Sequence, residues 1–338
     1  MSMHSTFEQE QPVPDNSDNS DNSDNSDNSD NSDNSDNSDN SDTDALCIAR
    51  LRALPQSEQR SPQWFQDRLK RITASEAATV ITRSKECLRE YNKHTGKALR
   101  PSKSCCNPYE NREDYIFQKS FQAHYGLSQW SNAATSWGQK YESIAAELYK
   151  KVTGTREIYE FGLLGHSTLD WLGASPDGVT NTGIAIEIKC PKSREITGVP
   201  TLYYWIQVQI QLEVLDLEAA DFIEVQIEEH ENIDEEWAGR EFKGVYHGDA
   251  FMVSIAPGIS ECEDFCRERV SDVPFTYFSA VVFSVTRINR SREWFTACKD
   301  ELESTILLIR ELQADKALFD KTYQGCLEES TDVVCLLE

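Results

Sequence analysis

Residues 184–190 read Ile-Ala-Ile-Glu-Ile-Lys-Cys, and an isoleucine at every second position fixes what this stretch can become. Side chains of a β-strand alternate between its two faces. Ile184, Ile186 and Ile188 therefore point one way, while Ala185, Glu187 and Lys189 point the other. The aliphatic row asks for a core to cover it. Upstream, the run Thr-Asn-Thr-Gly at 180–183 is a turn signal. It folds the preceding strand back as a hairpin and brings Asp177 toward Glu187. One strand face thus gathers two carboxylates and a lysine, with Glu187 and Lys189 roughly 7 Å apart by the rise of a strand.

Two carboxylates this close repel each other unless a cation lies between them. A few oxygen ligands that leave positions open suit Mg²⁺ or Mn²⁺, which keep waters and bind phosphate. A lysine beside such an ion can hold or polarise the attacking water and steady charge on phosphorus. Taken singly the parts have ordinary readings. An exposed Glu-x-Lys pair is usually a surface ion pair worth under about 1 kcal/mol, and Pro-Asp-Gly is usually a turn.

Not all of the 338 residues can contribute to a core. Residues 15–41 are nine Asp-Asn-Ser triplets, with nothing apolar to offset the entropy of ordering them. Residues 1–45 are expected to be disordered, 46–325 to form one domain, and 326–338 to be a short tail. Residues 1–44 carry −13 of the net −25, which leaves −12 on the remainder. Within that remainder, Arg60 to Lys103 holds eleven Lys/Arg against four Asp/Glu, a candidate anion-binding face. Glu213 to Glu241 holds twelve acidic residues against Arg240 alone and is expected to be a solvated outer surface. The N-terminus lacks a basic, apolar leader, and no run of about 18 apolar residues occurs. The expectation is a soluble intracellular protein without a membrane span, in nucleus or cytoplasm alike. Ten cysteines without paired C-x-x-C spacing read as reduced, structural thiols.

Local signals give a coarse map. Ser61 caps a helix with Pro62 at its first position, and Thr73 with Glu76 has capping-box spacing ahead of a second. Residues 84–110 are polar and turn-rich and read as a loop or lid. A short helix ends at Gly126. A longer one, up to Gly154, buries Ile144, Ala145, Leu148, Tyr149 and Val152. A strand at about 157–164 precedes the hairpin. The segment 201–217 fits an amphipathic helix on Ile206, Ile210 and Leu215, although its length also permits a strand. Residues 220–227 and 278–288 are further strands, the latter apolar on both faces. A long helix runs from Trp294 to about Phe319. The order implies an α/β fold with a central mixed sheet flanked by helices.

In sequence order, "WFQDRLKRITASEAATVI", "WGQKYE", "GASPDG", "EIKCP" and "YYWIQVQ" resemble the lambda-type phage exonuclease family, also called the YqaJ viral recombinase family. These are metal-dependent nucleases of the PD-(D/E)xK, or restriction-endonuclease-like, fold. The resemblance spans about residues 61–230. It implies that Asp177 and Glu187 bind the principal metal, completed by the backbone carbonyl of Ile188, and that Lys189 orients or activates the water. Glu142 would assist a second ion or its water. Gln207 would hydrogen-bond near the water or the lysine, with Gln209 and Gln211 as alternatives in a different register. Arg68 and Ser75 would recognise a 5′-phosphate. The implied activity is Mg²⁺-dependent 5′→3′ degradation of one strand of linear duplex DNA, leaving 3′ single-stranded tails for recombination or repair. One or two ions serve, and Mn²⁺ substitutes. Double-stranded DNA ends are the implied partner, with a single-strand annealing protein and a ring-shaped homotrimer as further expectations.

Some features depart from the family pattern. Arg83 to Ser131 looks inserted, and the acidic segment and the repeats are foreign to it, which puts the ring geometry in question. Two other readings remain open at this point. One is an endonuclease or RecB-like nuclease on the same fold. The other is an inactive module that binds DNA ends. An iron–sulfur branch is not supported, because Cys262, Cys266 and Cys298 lack its spacing.

Overall fold

The computed structural model describes residues 38–81, 85–96, 109–126, 133–233, 235–248, 250–255, 259–268 and 274–326. Helix α1 spans Ser38–Ala53, so its first turns come from the last Asp-Asn-Ser repeats, and residues 1–37 and 327–338 lie outside the described residues. Strand β1 (Gln56–Ser57) leads to α2 (Pro62–Leu69), whose cap Ser61 accepts a hydrogen bond from the Trp64 amide through its side chain. Strand β2 (Ile72–Thr73) runs into α3 (Ala74–Ile81), where the Thr73 amide donates to the Glu76 carboxylate at 3.1 Å. Helices α4 (Lys85–Thr95), α5 (Arg112–Tyr125) and α6 (Ala133–Thr153) follow.

The sheet strands come next: β3 (Ile158–Tyr159), β4 (Leu163–Gly165), β5 (Leu172–Ala174), β6 (Gly178–Thr180) and β7 (Ala185–Lys189). Helix α7 (Leu202–Leu215) crosses over to β8 (Ala219–His230), as a parallel neighbour requires. The remainder is α8 (Glu235–Gly239), β9 (Phe242–His247), β10 (Ala250–Ile255), α9 (Ile259–Arg267), β11 (Thr276–Asn289), α10 (Arg292–Ala314) and α11 (Lys316–Thr322). The main sheet has the order β10-β9-β11-β8-β7-β6-β3, with only β7–β8 parallel. A smaller sheet has the order β1-β4-β5-β2. The expected central mixed sheet flanked by helices is present.

Strand alternation sorts the core. From β8, Ala220 and Phe222 join the larger apolar cluster, which α3, α7 and α10 complete. Ile223, Val225 and Ile227 face the opposite cluster, with Ile186 and Ile188 of β7 and Tyr141 and Ile144 of α6. A third cluster, built on Trp237, Val245, Cys262 and Phe265, joins β9 to α8 and α9.

Several expectations need correction. Residues 85–95 are helix, not loop; 82–84 and 97–108 lie outside the described residues. The strand at 157–164 is two short strands in different sheets. It breaks at Gly162, where a Cβ would collide with the Ser57 carbonyl of the neighbouring β1. Val152 of α6 is exposed, because the apolar stripe ends before the last turn. Helix α7 is buried nearly all round rather than amphipathic, since it is covered on both sides. Strand β11 is an inner strand only near Phe278, where β9 and β8 both pair with it; Val285 is exposed. The last helix divides at Asp315, whose side chain accepts from the Leu318 amide and starts α11. The acidic segment is not all outer surface. Asp221 and Glu224 are buried, with Arg287 and Arg194 as their respective partners.

Candidate active site

The hairpin of β6 and β7 is tied at its turn by Thr180, whose Oγ1 accepts from the Thr182 and Ile184 amides. Gly178 pairs with Ile186, which sets the preceding Asp177 level with Glu187. The Asp177 carboxylate accepts the Ile188 amide at 2.7 Å. The polar face read from the sequence is therefore real, but it is not open. Helix α7 lies on it, and Glu187 is only 1 % exposed. Gln207 and Gln211, one helical turn apart on α7, donate to its two oxygens at 2.6 and 2.5 Å. Lys189 closes on the Gln207-bound oxygen through Nζ. Gln209 faces elsewhere, bonding the Asn289 carbonyl and the Ser291 amide.

Above this floor opens a cleft of about 420 Å³, lined in part by Glu142, Asp177, Ile188 and Lys189. Helix α6 brings Glu142 to it from the other side of the hairpin. Burial pushes the Asp177 carboxyl well above the usual carboxylate range, and the nearby charges of Glu187 and Glu142 push it further. Burial likewise raises Glu142, against the pull of Arg60 and Lys189. Burial works to lower Lys189, but Glu187 and Asp177 outweigh it and hold the ammonium above its ordinary range. Burial pushes the Cys190 thiol up to about 12, so it stays protonated beside the cleft.

Among the described residues no three Asp, Glu, His or Cys side chains stand together as a ready ligand set. Glu187 has both oxygens engaged by amides and an ammonium. The donor chemistry nevertheless fits a hard divalent cation. Asp177 and Glu142 line the cleft with Glu187 in its floor, and the Glu187 charge raises both of the others, which makes an oxygen-rich and negatively charged pocket.

Arg68 and Ser75 do not line this cleft. They form a neighbouring cluster in which Arg68 donates to Glu76 at 3.1 Å and to Ser75 at 3.4 Å, with its guanidinium over the Trp64 ring. Buried Lys119 of α5 also donates to Glu76, at 2.5 Å. The cluster is linked to the loop before Asp177 by Trp64, which donates to Ser175, and to α7 by Tyr203, which donates to the Ser75 carbonyl.

The cleft also holds Lys192, Arg194 and Tyr204, which sequence reasoning did not single out, and Arg60, which it counted only as the start of the basic stretch. Tyr204 lies between Lys189 and Arg194, at 5.2 and 5.4 Å from its ring centre. Buried Glu224, paired with Lys189 across β7 and β8, accepts from Arg194 at 2.6 Å. Arg60 stands 3.7 Å from Glu142. Its φ of 64° places a non-glycine residue in left-handed backbone, at a cost of about 1–2 kcal/mol. The ion pair with Glu142 does not repay that. The two side chains are 53 % and 35 % exposed, and exposed pairs contribute about 0–1 kcal/mol.

A mixed α/β fold with carboxylates and a lysine converging on one cleft defines a candidate phosphodiester-cleaving centre. Comparison with known proteins bears out the resemblance read from the motifs: residues 63–218 match the YqaJ-like viral recombinase domain. An uncharacterised protein of Acanthamoeba polyphaga mimivirus is 29 % identical over 200 residues, covering 54 % of this chain and 32 % of that protein. The chain thus spans about a third of that relative's length. Among solved structures, LHK-Exo in complex with dAMP is 22 % identical, covering 79 % of this chain and 99 % of that one, at a TM-score of 0.46. The alkaline exonuclease LHK-Exo from Laribacter hongkongensis has the same identity and coverage at 0.43. A phage-related exonuclease from Haemophilus somnus 129PT is 14 % identical over 76 % of this chain and 96 % of its own, at 0.41.

Proposed function

We propose that this chain is a metal-dependent deoxyribonuclease that degrades one strand of linear duplex DNA from its 5′ end and leaves a 3′ single-stranded tail. The observation that carries this reading is the convergence of Glu142, Asp177, Ile188 and Lys189 on one cleft, above the buried Glu187. Asp177, Glu187, Glu142 and the Ile188 carbonyl would hold Mg²⁺ or Mn²⁺, which supplies neutralising charge and a bound water of lowered pKa. Lys189, kept cationic by the carboxylates beside it, faces a phosphate as a charged donor and orients the attacking water. Gln207 and Gln211 fix the Glu187 carboxylate, so its orientation is set before substrate arrives. The Arg68–Ser75 cluster is the reading's 5′-phosphate pocket, with Arg68 aligned by Glu76 and Trp64. A 3′ tail is the material a strand-annealing protein takes up.

The test uses linear duplex labelled at the 5′ or the 3′ end, with Mg²⁺ and then with EDTA. Release of 5′-labelled mononucleotides in Mg²⁺ only, with closed circles intact, is the expected result. Cut circles would replace this reading with an endonuclease, and DNA ends bound but never cut would replace it with a binding module. Asp177→Asn is the matched control, because an amide oxygen can keep the Ile188 hydrogen bond while the charge is lost. Cleavage should fall by about 10²-fold or more, the usual scale for removing one charge-stabilising group. An unchanged rate would remove Asp177 from the metal site.

A further inference from the structure

The cations of the cleft are not equivalent. Lys189 closes on buried Glu187, and Arg194 on buried Glu224 at 2.6 Å. Lys192 lies over the Trp137 ring at 4.8 Å, and of the ion pairs Arg60 has the loosest, 3.7 Å from Glu142 with its side chain more than half exposed. Yet its place is set with care. A turn closed by the Ser61 amide donating to the Glu58 carbonyl puts Arg60 in left-handed backbone at its third position, where glycine is the common occupant. Gln59 ties the same turn to the Phe161 and Pro176 carbonyls at 3.0 and 3.2 Å, one residue before Asp177. The result is a backbone anchor, tied to the loop that carries Asp177, which holds a half-exposed guanidinium at the cleft in a strained conformation its own ion pair does not compensate. Strain kept beside a site of chemistry points to a role there rather than in stability.

We propose that Arg60 binds a phosphate of the DNA strand entering the cleft, and that Glu142 is its resting partner, exchanged for that phosphate when substrate arrives. This rests on the reading of the cleft as a phosphodiester site. A guanidinium offers paired N–H donors to phosphate oxygens, and a loose, partly exposed pair with Glu142 gives them up at little loss. The chain as a whole repels DNA, with a net charge of −25, so a cation free to change partner in the cleft has particular value there.

The test is binding of a short 5′-phosphorylated duplex to the full chain, with Ca²⁺ in place of Mg²⁺, across a salt series. Arg60→Gly accepts the left-handed backbone, so its thermal midpoint should not fall below that of the parent. The slope of log affinity against log salt should become shallower by about 0.9, the contribution of one phosphate contact. Arg60→Lys, which keeps the charge, should restore the slope. An unchanged slope in Arg60→Gly, with the parent binding normally, overturns the proposal and leaves the nuclease reading standing. Weaker binding accompanied by a lower thermal midpoint also overturns it, as a structural effect. A parent chain that binds no duplex overturns both readings.

Discussion

At the residue scale, Glu187 shows how a carboxylate can be buried without being wasted. Both oxygens are filled by donors from a helix that has no freedom to move away, because nearly every residue of α7 is buried. Gln211 is as much a part of that arrangement as Gln207. Gln211→Leu keeps the bulk but leaves one buried oxygen of Glu187 without its donor. The expected outcome is a 10–100-fold weaker affinity for metal, the usual effect of removing such a support. It would be read as a shift in the Mg²⁺ concentration needed for half-maximal cleavage. The strand alternation made the Asp177, Glu187 and Lys189 face legible from the sequence alone. The glutamine register was not, because segment 201–217 could be helix or strand. A helix places positions four apart on one side, which resolves Gln207 and Gln211 toward Glu187 and Gln209 away from it. Arg60 was illegible for a different reason: backbone dihedral angles leave no mark on residue type when a non-glycine accepts the strain.

At the scale of single elements, short-range signals were the most readable. The caps at Ser61 and Thr73 and the stops at Gly126 and Gly154 sit where the sequence put them. What they could not reveal is the second use of Glu76. Besides capping α3, it binds Lys119 and Arg68 inside the protein. Burial alone would raise its carboxyl, but the two cations win and hold it at about 2, against an ordinary 4.5. Lys119, lowered by burial to about 8, still carries its proton at neutral pH. A depressed carboxyl contributes stability above its unfolded pKa and loses it as pH falls through the folded one. Glu76→Gln should therefore destabilise by about 3–5 kcal/mol at neutral pH, the cost of stranding buried partners. That gap should narrow as pH drops from 4.5 toward 2, checked by denaturant unfolding of both chains along the pH series. Long helices and strands were misjudged at their ends, where packing and not periodicity decides. The break at Asp315 and the exposed half of β11 are both of this kind.

At the scale of the whole molecule, net charge and local charge pull in opposite directions. Residues 1–37 bring ten acidic side chains and no Lys or Arg. Deleting them should speed association with DNA at low salt. The two association rates should converge as added salt screens the difference over about 10 Å at 0.1 M. Stopped-flow binding across a salt series measures this directly, and equal rates at low salt would show that the tract does not act on substrate.

The groups that converge on Glu187 come from a single run of chain between Asp177 and Gln211, with Glu142 contributed separately. The hairpin of β9 and β10 lies at the opposite edge of the sheet, shared between the small cluster under α8 and α9 and the cluster that α6 covers. Chemistry and elaboration are thus written in different paragraphs of the gene. The two passages still meet at one place, where Val253 of β10 shares a cluster with Tyr141 of α6, next to Glu142 of the cleft.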